Sequence, residues 1–243
     1  MAAFVLLHGG GMGGWTWKYV RELLEAKGHK VYTPTFTGFG ERHHLISRRI
    51  DDAVHVADVV NMMACEEVHD AVLVAHSYGG AIAPGVCAAL PDRISRLVMV
   101  DAIVLEAGES VAEALGFLPP EQAEEIRAMH ARDEGPIGAG VPDQVRRMAE
   151  VEPQRMSPDR DRWVFEHLTD MPLSANLAKV RVGAEFVRAP VDYLSVPLTM
   201  MQKMHRRAAA LGWTVHELGG DRDHMVHVGD PEIVVRHLTA SRP

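Results

Sequence analysis

Cysteine is nearly absent. The 243 residues hold two, Cys65 and Cys87, each in an apolar, helix-like stretch. They share no metal-ligand spacing, so a disulfide framework and a cysteine zinc site are both excluded, and the thiols read as reduced. Long apolar runs are missing too. Nothing approaches the ~18–20 residues of a membrane helix. The N-terminal run Ala2–Leu7 has no basic leader and no small-residue cleavage site, and it breaks at once into His8-Gly9-Gly10-Gly11. We therefore read no secretory signal and expect a cytoplasmic protein without a membrane partner. Basic charge is in deficit, with 25 Lys and Arg against 33 Asp and Glu for a net −8, which argues against a nucleic-acid partner. Repeats and low-complexity tracts are lacking. Composition leaves the oligomeric state open.

What is present is an ordinary globular composition, 47% apolar and 24% charged, at a length suited to one α/β domain with an insertion. The first hundred residues alternate strand and helix. Strands are predicted at Ala3–Leu7, Val31–Thr33, Ala71–Ala75 and Leu97–Val100, with helices at Thr16–Lys27, Asp51–Met63 and Gly80–Leu90 between them. Strands separated by helices imply a mostly parallel sheet. From Leu105 to about Lys179 the pattern is helical only, and prolines 119, 120, 136, 142, 153, 158 and 172 keep those helices short. Alternation then resumes, with strands expected at Ala184–Arg188 and Thr214–Leu218 and helices at Leu198–Leu211 and Pro231–Leu238. The expected organisation is a six-stranded core domain from residues 1–105 and 180–243, interrupted by a helical cap at 106–179.

The segment Val72-Leu73-Val74-Ala75-His76-Ser77-Tyr78-Gly79-Gly80 runs a strand directly into a helix with a serine at the join. A nucleophile elbow, G-x-S-x-G, needs small residues two positions either side of the serine. Ala75 and Gly79 meet that need, with one methyl as the departure. The competing reading is a serine that only caps a helix. A second glycine-rich turn, His8-Gly9-Gly10-Gly11-Met12-Gly13-Gly14-Trp15, ends the first strand. It fits neither a phosphate-binding loop with its lysine nor a G-x-G-x-x-G register. It fits the early loop that lends one oxyanion-hole amide, which we assign to Gly10. Tyr78, after the serine, supplies the other.

The base is expected late in the chain, in Gly219-Gly220-Asp221-Arg222-Asp223-His224-Met225-Val226-His227, where His224 is preferred and His227 reads as structural. The orienting acid should fall between serine and histidine at a strand end. Asp192 and Asp101 both qualify, and Asp192 is favoured. No zinc-protease motif is present, and neither a metal nor a cofactor is expected. Met129, Met148, Met156, Trp163 and Phe165 in the cap are candidates to line a pocket, although such residues equally well glue cap to sheet.

Phe4-Val5-Leu6-Leu7-His8-Gly9, Gly13-Gly14-Trp15, Gly28-His29-Lys30-Val31, Ala75-His76-Ser77-Tyr78-Gly79-Gly80 and Asp223-His224-Met225 together resemble one branch of the α/β-hydrolase superfamily. It is the branch of plant methyl-ester hydrolases, hydroxynitrile lyases and their bacterial esterase relatives. The resemblance covers both ends of the chain and fades through the cap. It implies an α/β-hydrolase fold, a small ester or carbamate as substrate, Ser77 as nucleophile, His224 as base, and Gly10 and Tyr78 as oxyanion donors. Asp192 as acid rests on Phe186-Val187-Arg188 followed by Asp192-Tyr193 and Pro197. Lyases of the branch carry threonine at the position of Gly9 and lysine at that of Met225, so both positions imply an esterase. A lyase acting on a cyanohydrin and a non-catalytic ligand-binding protein are the alternatives.

Overall fold

A computed structural model describes residues 2–145, 156–197 and 199–240. Six strands form one sheet: β1 (Ala3–Leu7), β2 (Lys30–Tyr32), β3 (Ala71–His76), β4 (Ile94–Val100), β5 (Val191–Ser195) and β6 (Thr214–Glu217). Their order is β2-β1-β3-β4-β5-β6, and every pairing is parallel.

The strands are apolar on both faces because helices cover both faces. The period of two divides the side chains cleanly. Val5, Leu7, Leu73, Ala75, Leu97 and Met99 enter one core with helices α1 (Asp52–Cys65) and α2 (Gly79–Ala89). Phe4, Leu6, Val74, Val98, Val100 and Leu194 enter the other, with Trp17 from the 3-10 turn Gly14–Trp17 and with Leu24 and Val235 from the flanking helices Lys18–Glu25 and Pro231–Thr239. Between β4 and β5 the described residues form helices and no strand, apart from an isolated antiparallel bridge between Gly138 and Pro172. The helices used below are α3 (Pro120–Ala131), α4 (Pro158–His167) and α5 (Leu173–Leu177).

One predicted strand is corrected. Ala184–Phe186 is a 3-10 turn, and β5 begins at Val191, seven residues later than expected. The apolar pattern misled because Phe186 is 59% exposed, whereas Val191, Tyr193 and Leu194 are buried. The helix expected from Leu198 begins at Gln202 (α6, Gln202–Ala210), and Leu198 itself lies outside the described residues.

Helix α2 packs unusually close to its neighbours. A Cβ on Gly80 would lie 2.4 Å from the carbonyl oxygen of Ile103 and 2.8 Å from Cβ of Ala102. Backbone cannot yield as a side chain can. Gly80→Ala is therefore expected to cost ~1–3 kcal/mol and lower Tm by several degrees in a thermal melt. An unchanged Tm would refute the close packing.

Candidate active site

Two strained residues stand side by side at the carboxyl edge of the sheet. Ser77 follows β3 with φ +50°, and Asp101 follows the neighbouring β4 with φ +42°. Neither is a glycine, and such a backbone costs ~1–3 kcal/mol unless its surroundings hold it. At Ser77 the carbonyl accepts from the amides of Gly80 (3.0 Å) and Ile103 (2.9 Å). A Cβ on Gly79 would sit 2.9 Å from the Leu7 carbonyl oxygen, so the elbow tolerates only glycine there without movement. Ala75, at the other small position, is fully buried in the core with its one methyl accommodated.

Asp101 is fully buried and serves as a hub. His224 donates its Nδ1–H to Oδ2 at 2.6 Å, Thr199 donates its hydroxyl to the same oxygen at 2.6 Å, and His205 on α6 donates Nε2–H to Oδ1 at 2.7 Å. Burial opposes ionisation of this carboxyl. The three hydrogen bonds and the attraction of His224 outweigh it and hold Asp101 below the usual carboxylate value.

Asp192, the acid favoured from sequence, is elsewhere. It is the second residue of β5, in register with Val98, and its carboxylate pairs with Arg96 Nε at 2.6 Å and His216 Nε2 at 3.0 Å. Arg96 also donates to the carbonyls of His237 and Leu238, so this cluster ties the C-terminal helix to the sheet. The later start of β5 places the two candidate acids differently. Asp192 lies inside β5 and not after it, whereas Asp101 directly follows β4.

His224 and Ser77 line the same cavity, of about 260 Å³. Among the described residues the Ser77 hydroxyl makes no hydrogen bond, to His224 or to any other group, and with Nδ1 committed to Asp101 the free position of His224 is Nε2. Contacts of this kind often tighten only when substrate is bound. Gly10 and Tyr78 line the cavity as well, and neither backbone amide is bonded to a described residue.

Four buried histidines frame these groups. His8 donates Nδ1–H to the Gly9 carbonyl (2.8 Å) and accepts the Phe36 amide at Nε2 (3.1 Å), fixing the glycine loop. His55 donates Nε2–H to the Thr37 carbonyl and accepts the Tyr78 hydroxyl at Nδ1 (2.9 Å), which anchors Tyr78. His76 turns away from the hydroxyl of its neighbour and donates Nε2–H to the backbone carbonyl of His224 at 2.9 Å, bracing the loop from below. His227 packs at a tilt against Trp17 and His76, and neither of its ring nitrogens has a hydrogen-bond partner among the described residues. Burial pushes His8 and His227 down to about 3 and His55 to about 4. It pushes His76 well below its ordinary value, with the nearby His227 and His224 adding to the shift. The loop that carries His224 is further tied by Arg222 to Asp230 (2.7 Å) and to the Gly219 carbonyl.

Of the expected pocket residues, Met156 and Phe165 line the cavity. Met129 does not; it packs against Gly135 at the end of α3. Trp163 turns outward onto Trp15 (5.0 Å, edge-on) and Tyr19, because Val164, Phe165 and Leu168 form the inward face of α4. Met148 lies outside the described residues. Sequence reasoning missed Thr199, His205 and the anchoring roles of His8, His55 and His76. Of these only His8, beside the glycines, carried a local signal. No group of three or more metal-ligating side chains is found among the described residues, nor is any described helix long and apolar enough to cross a membrane.

The comparisons agree with this architecture. The carbendazim hydrolyzing esterase of Nocardioides sp. (strain SG-4G) is 42% identical over 133 residues, 54% of this chain and 55% of that protein. Polyneuridine aldehyde esterase of Rauvolfia serpentina is 31% identical over 113 residues, 44% of this chain and 41% of that protein. These matches span about half of the curated relatives' length or less. An extracellular alpha/beta-hydrolase from a Paenibacillus species superposes with a TM-score of 0.76 over the whole of both chains at 21% identity, a likeness of fold. A family model described as "Alpha/beta hydrolase family" matches residues 4–237, and the chain, with its parallel sheet and strained serine, belongs to that family.

Proposed function

We propose that the protein is a serine hydrolase of small carboxylic esters or carbamates, with Ser77 as nucleophile, His224 as base and Asp101, in place of Asp192, as the orienting acid. The observation that carries this reading is the hydrogen bond from His224 Nδ1 to buried Asp101, on an imidazole that shares a cavity with an uncommitted serine hydroxyl. Fixing the proton on Nδ1 leaves the Nε2 lone pair to take the Ser77 proton as the oxygen attacks the carbonyl. Asp101 stabilises the imidazolium. The amides of Gly10 and Tyr78 receive the oxyanion, a contribution of ~2.7–4 kcal/mol per donor. His224 then protonates the leaving alcohol, and water releases the acyl or carbamoyl group. A methyl carbamate would yield methanol and a carbamic acid, which loses carbon dioxide to give an amine. The similarity to the carbendazim hydrolyzing esterase makes carbendazim, giving 2-aminobenzimidazole, the first carbamate to try.

Residues 106–179 act in this reading as a cap that closes the pocket. Its contacts favour that role: the Thr169 amide donates to the Gly11 carbonyl at 2.9 Å, and the Thr169 hydroxyl accepts the Gly40 amide. Gly9 favours hydrolysis over lyase chemistry, since a Cβ there would lie 2.9 Å from His76 Nδ1 and 3.0 Å from Ser77 Cβ.

A fluorophosphonate probe followed by intact and peptide mass spectrometry tests the reading. A single label on Ser77 is expected, with none on Ser77→Ala and p-nitrophenyl ester turnover reduced by about 10⁴-fold or more in that variant. An unlabelled wild-type Ser77 would sink it.

A further inference from the structure

The cavity above Ser77 is walled by apolar side chains, and six of them are methionines: 12, 156, 171, 200, 201 and 225. Such walls suit a flat, uncharged body and adapt to its outline. They cannot tell one such body from another by hydrogen bonding. The polar lining therefore decides what else the pocket reads, and nearly all of it is already engaged. Gln144 donates to the Ala139 carbonyl, Thr199 to Asp101, the Tyr78 hydroxyl to His55, and Asp223 accepts the Met225 amide. Among the described lining residues, apart from Ser77 and Nε2 of His224, one polar side chain is uncommitted. The carboxamide of Asn176 makes no hydrogen bond with a described residue, although the residue is only 8% exposed.

Its placement is fixed by its neighbours. Asn176 belongs to α5, where Ala175 and Leu177 are buried in apolar clusters, the Leu177 carbonyl accepts Arg127 Nε at 2.9 Å, and the Ser174 hydroxyl donates to the Ser47 carbonyl. The segment starts over the oxyanion loop: the sulfur of Met171 is 3.1 Å from where a Cβ on Gly10 would stand. Asn176 lines the same cavity as Ser77, His224 and Gly10. A nearly buried carboxamide, held rigid and unpaired in an apolar cavity, is stable in contact with solvent or with a ligand group of matching polarity, and is penalised when a hydrocarbon covers it.

We propose that Asn176 is the specificity-determining residue of the pocket, hydrogen-bonding a polar N–H edge beside the scissile carbonyl or in the ring it carries, and so selecting carbamates over esters of equal shape. The proposal rests on the hydrolase reading above. The oxygen of the carboxamide accepts the N–H, and its NH₂ remains to donate to an adjacent ring nitrogen or oxygen.

The test uses the full-length protein and two matched compounds, a methyl N-arylcarbamate and the methyl arylacetate in which CH₂ replaces N–H. The wild type is expected to favour the carbamate in kcat/KM. Asn176→Leu, close in shape, should lower kcat/KM for the carbamate by about 10–100-fold, chiefly through KM, and leave the arylacetate within about threefold. Turnover of the arylacetate by the variant doubles as its folding control. Asn176→Asp, which keeps the volume and the acceptor oxygen and loses only the NH₂, supplies a second reading and should retain the preference for the carbamate. A carbamate-to-ester ratio unchanged in Asn176→Leu, or a wild-type preference for the arylacetate, overturns the proposal while the hydrolase reading stands. A wild type inert to both compounds, with Ser77 unlabelled by the fluorophosphonate, overturns both.

Discussion

Asp101→Asn is expected to lower kcat on a p-nitrophenyl ester by about 10³–10⁴-fold, with KM nearly unchanged. An asparagine keeps the size of the side chain but offers His224 Nδ1 a neutral amide. The imidazole is then free to present the wrong tautomer to Ser77, and the imidazolium loses its counter-charge. Asp192→Asn should behave in the opposite way. Its carboxylate is buried with Arg96 at 2.6 Å, and both side chains are largely removed from water. Breaking such a pair leaves an uncompensated guanidinium at a cost of ~3 kcal/mol or more, so Tm should drop by roughly 10 °C while kcat at 25 °C stays within a few fold. The two assays, steady-state kinetics and a thermal melt, therefore cross. If Asp192→Asn is the inactive variant and Asp101→Asn the active one, the assignment is reversed and the acid is Asp192 after all.

Acid should unfold this protein early, near pH 5. His8, His55, His76 and His227 are buried as neutral rings, with folded values pushed to about 3, about 4, well below normal, and about 3. Their ordinary value in an open chain is ~6.5. Above that value neither state is protonated and the groups are silent. Below it the unfolded chain takes up protons that the folded chain refuses, so stability falls as pH drops from about 6.5 towards 4. Each imidazole contributes a slope of ~1.4 kcal/mol per pH unit, and four together approach ~5. Against a total of ~5–15 kcal/mol, about one to three pH units suffice. Tryptophan fluorescence or circular dichroism from pH 8 to 3 reads the transition. His227→Leu, at a ring with no hydrogen bond to lose, should remove about one proton from the uptake and broaden the transition towards lower pH. A wild type whose stability does not fall between pH 7 and pH 4 would rule out the buried neutral rings.

These histidines mark where sequence reading stopped. One by one they look like any packing histidine; the pattern of apolar neighbours places His55 in its helix, but it ends the third strand one residue short of His76 and leaves His227, which lies in the short helix Val226–Gly229, in a loop. Their joint work becomes visible only when β1, β3 and the loop after β6 meet at one edge of the sheet, where His8 holds the Gly9 carbonyl, His76 holds that of His224, and His55 holds Tyr78. The acid shows the same limit in sharper form. Asp101 and Asp192 are each an aspartate near an apolar run, and choosing between them needs the register of β5, which the exposed Phe186 disguised. The pocket is a third case. Helical spacing cannot say which side of α4 faces the cavity until the helix is docked, and docking sent Trp163 outward and Phe165 inward.

The sequence alone determined the parallel α/β core, the bent Ser77 and its glycine-lined surroundings, because these are local. Short apolar runs separated by helices, a strand that runs into a helix, and small residues at fixed offsets are properties of neighbours in the chain. Tertiary structure decided which carboxylate meets His224, which histidines brace the loops and which cap residue keeps a free carboxamide. Those depend on contacts between segments 18 to 148 residues apart, and a hydrogen bond of 2.6 Å between Asp101 and His224 leaves no trace in the order of residues.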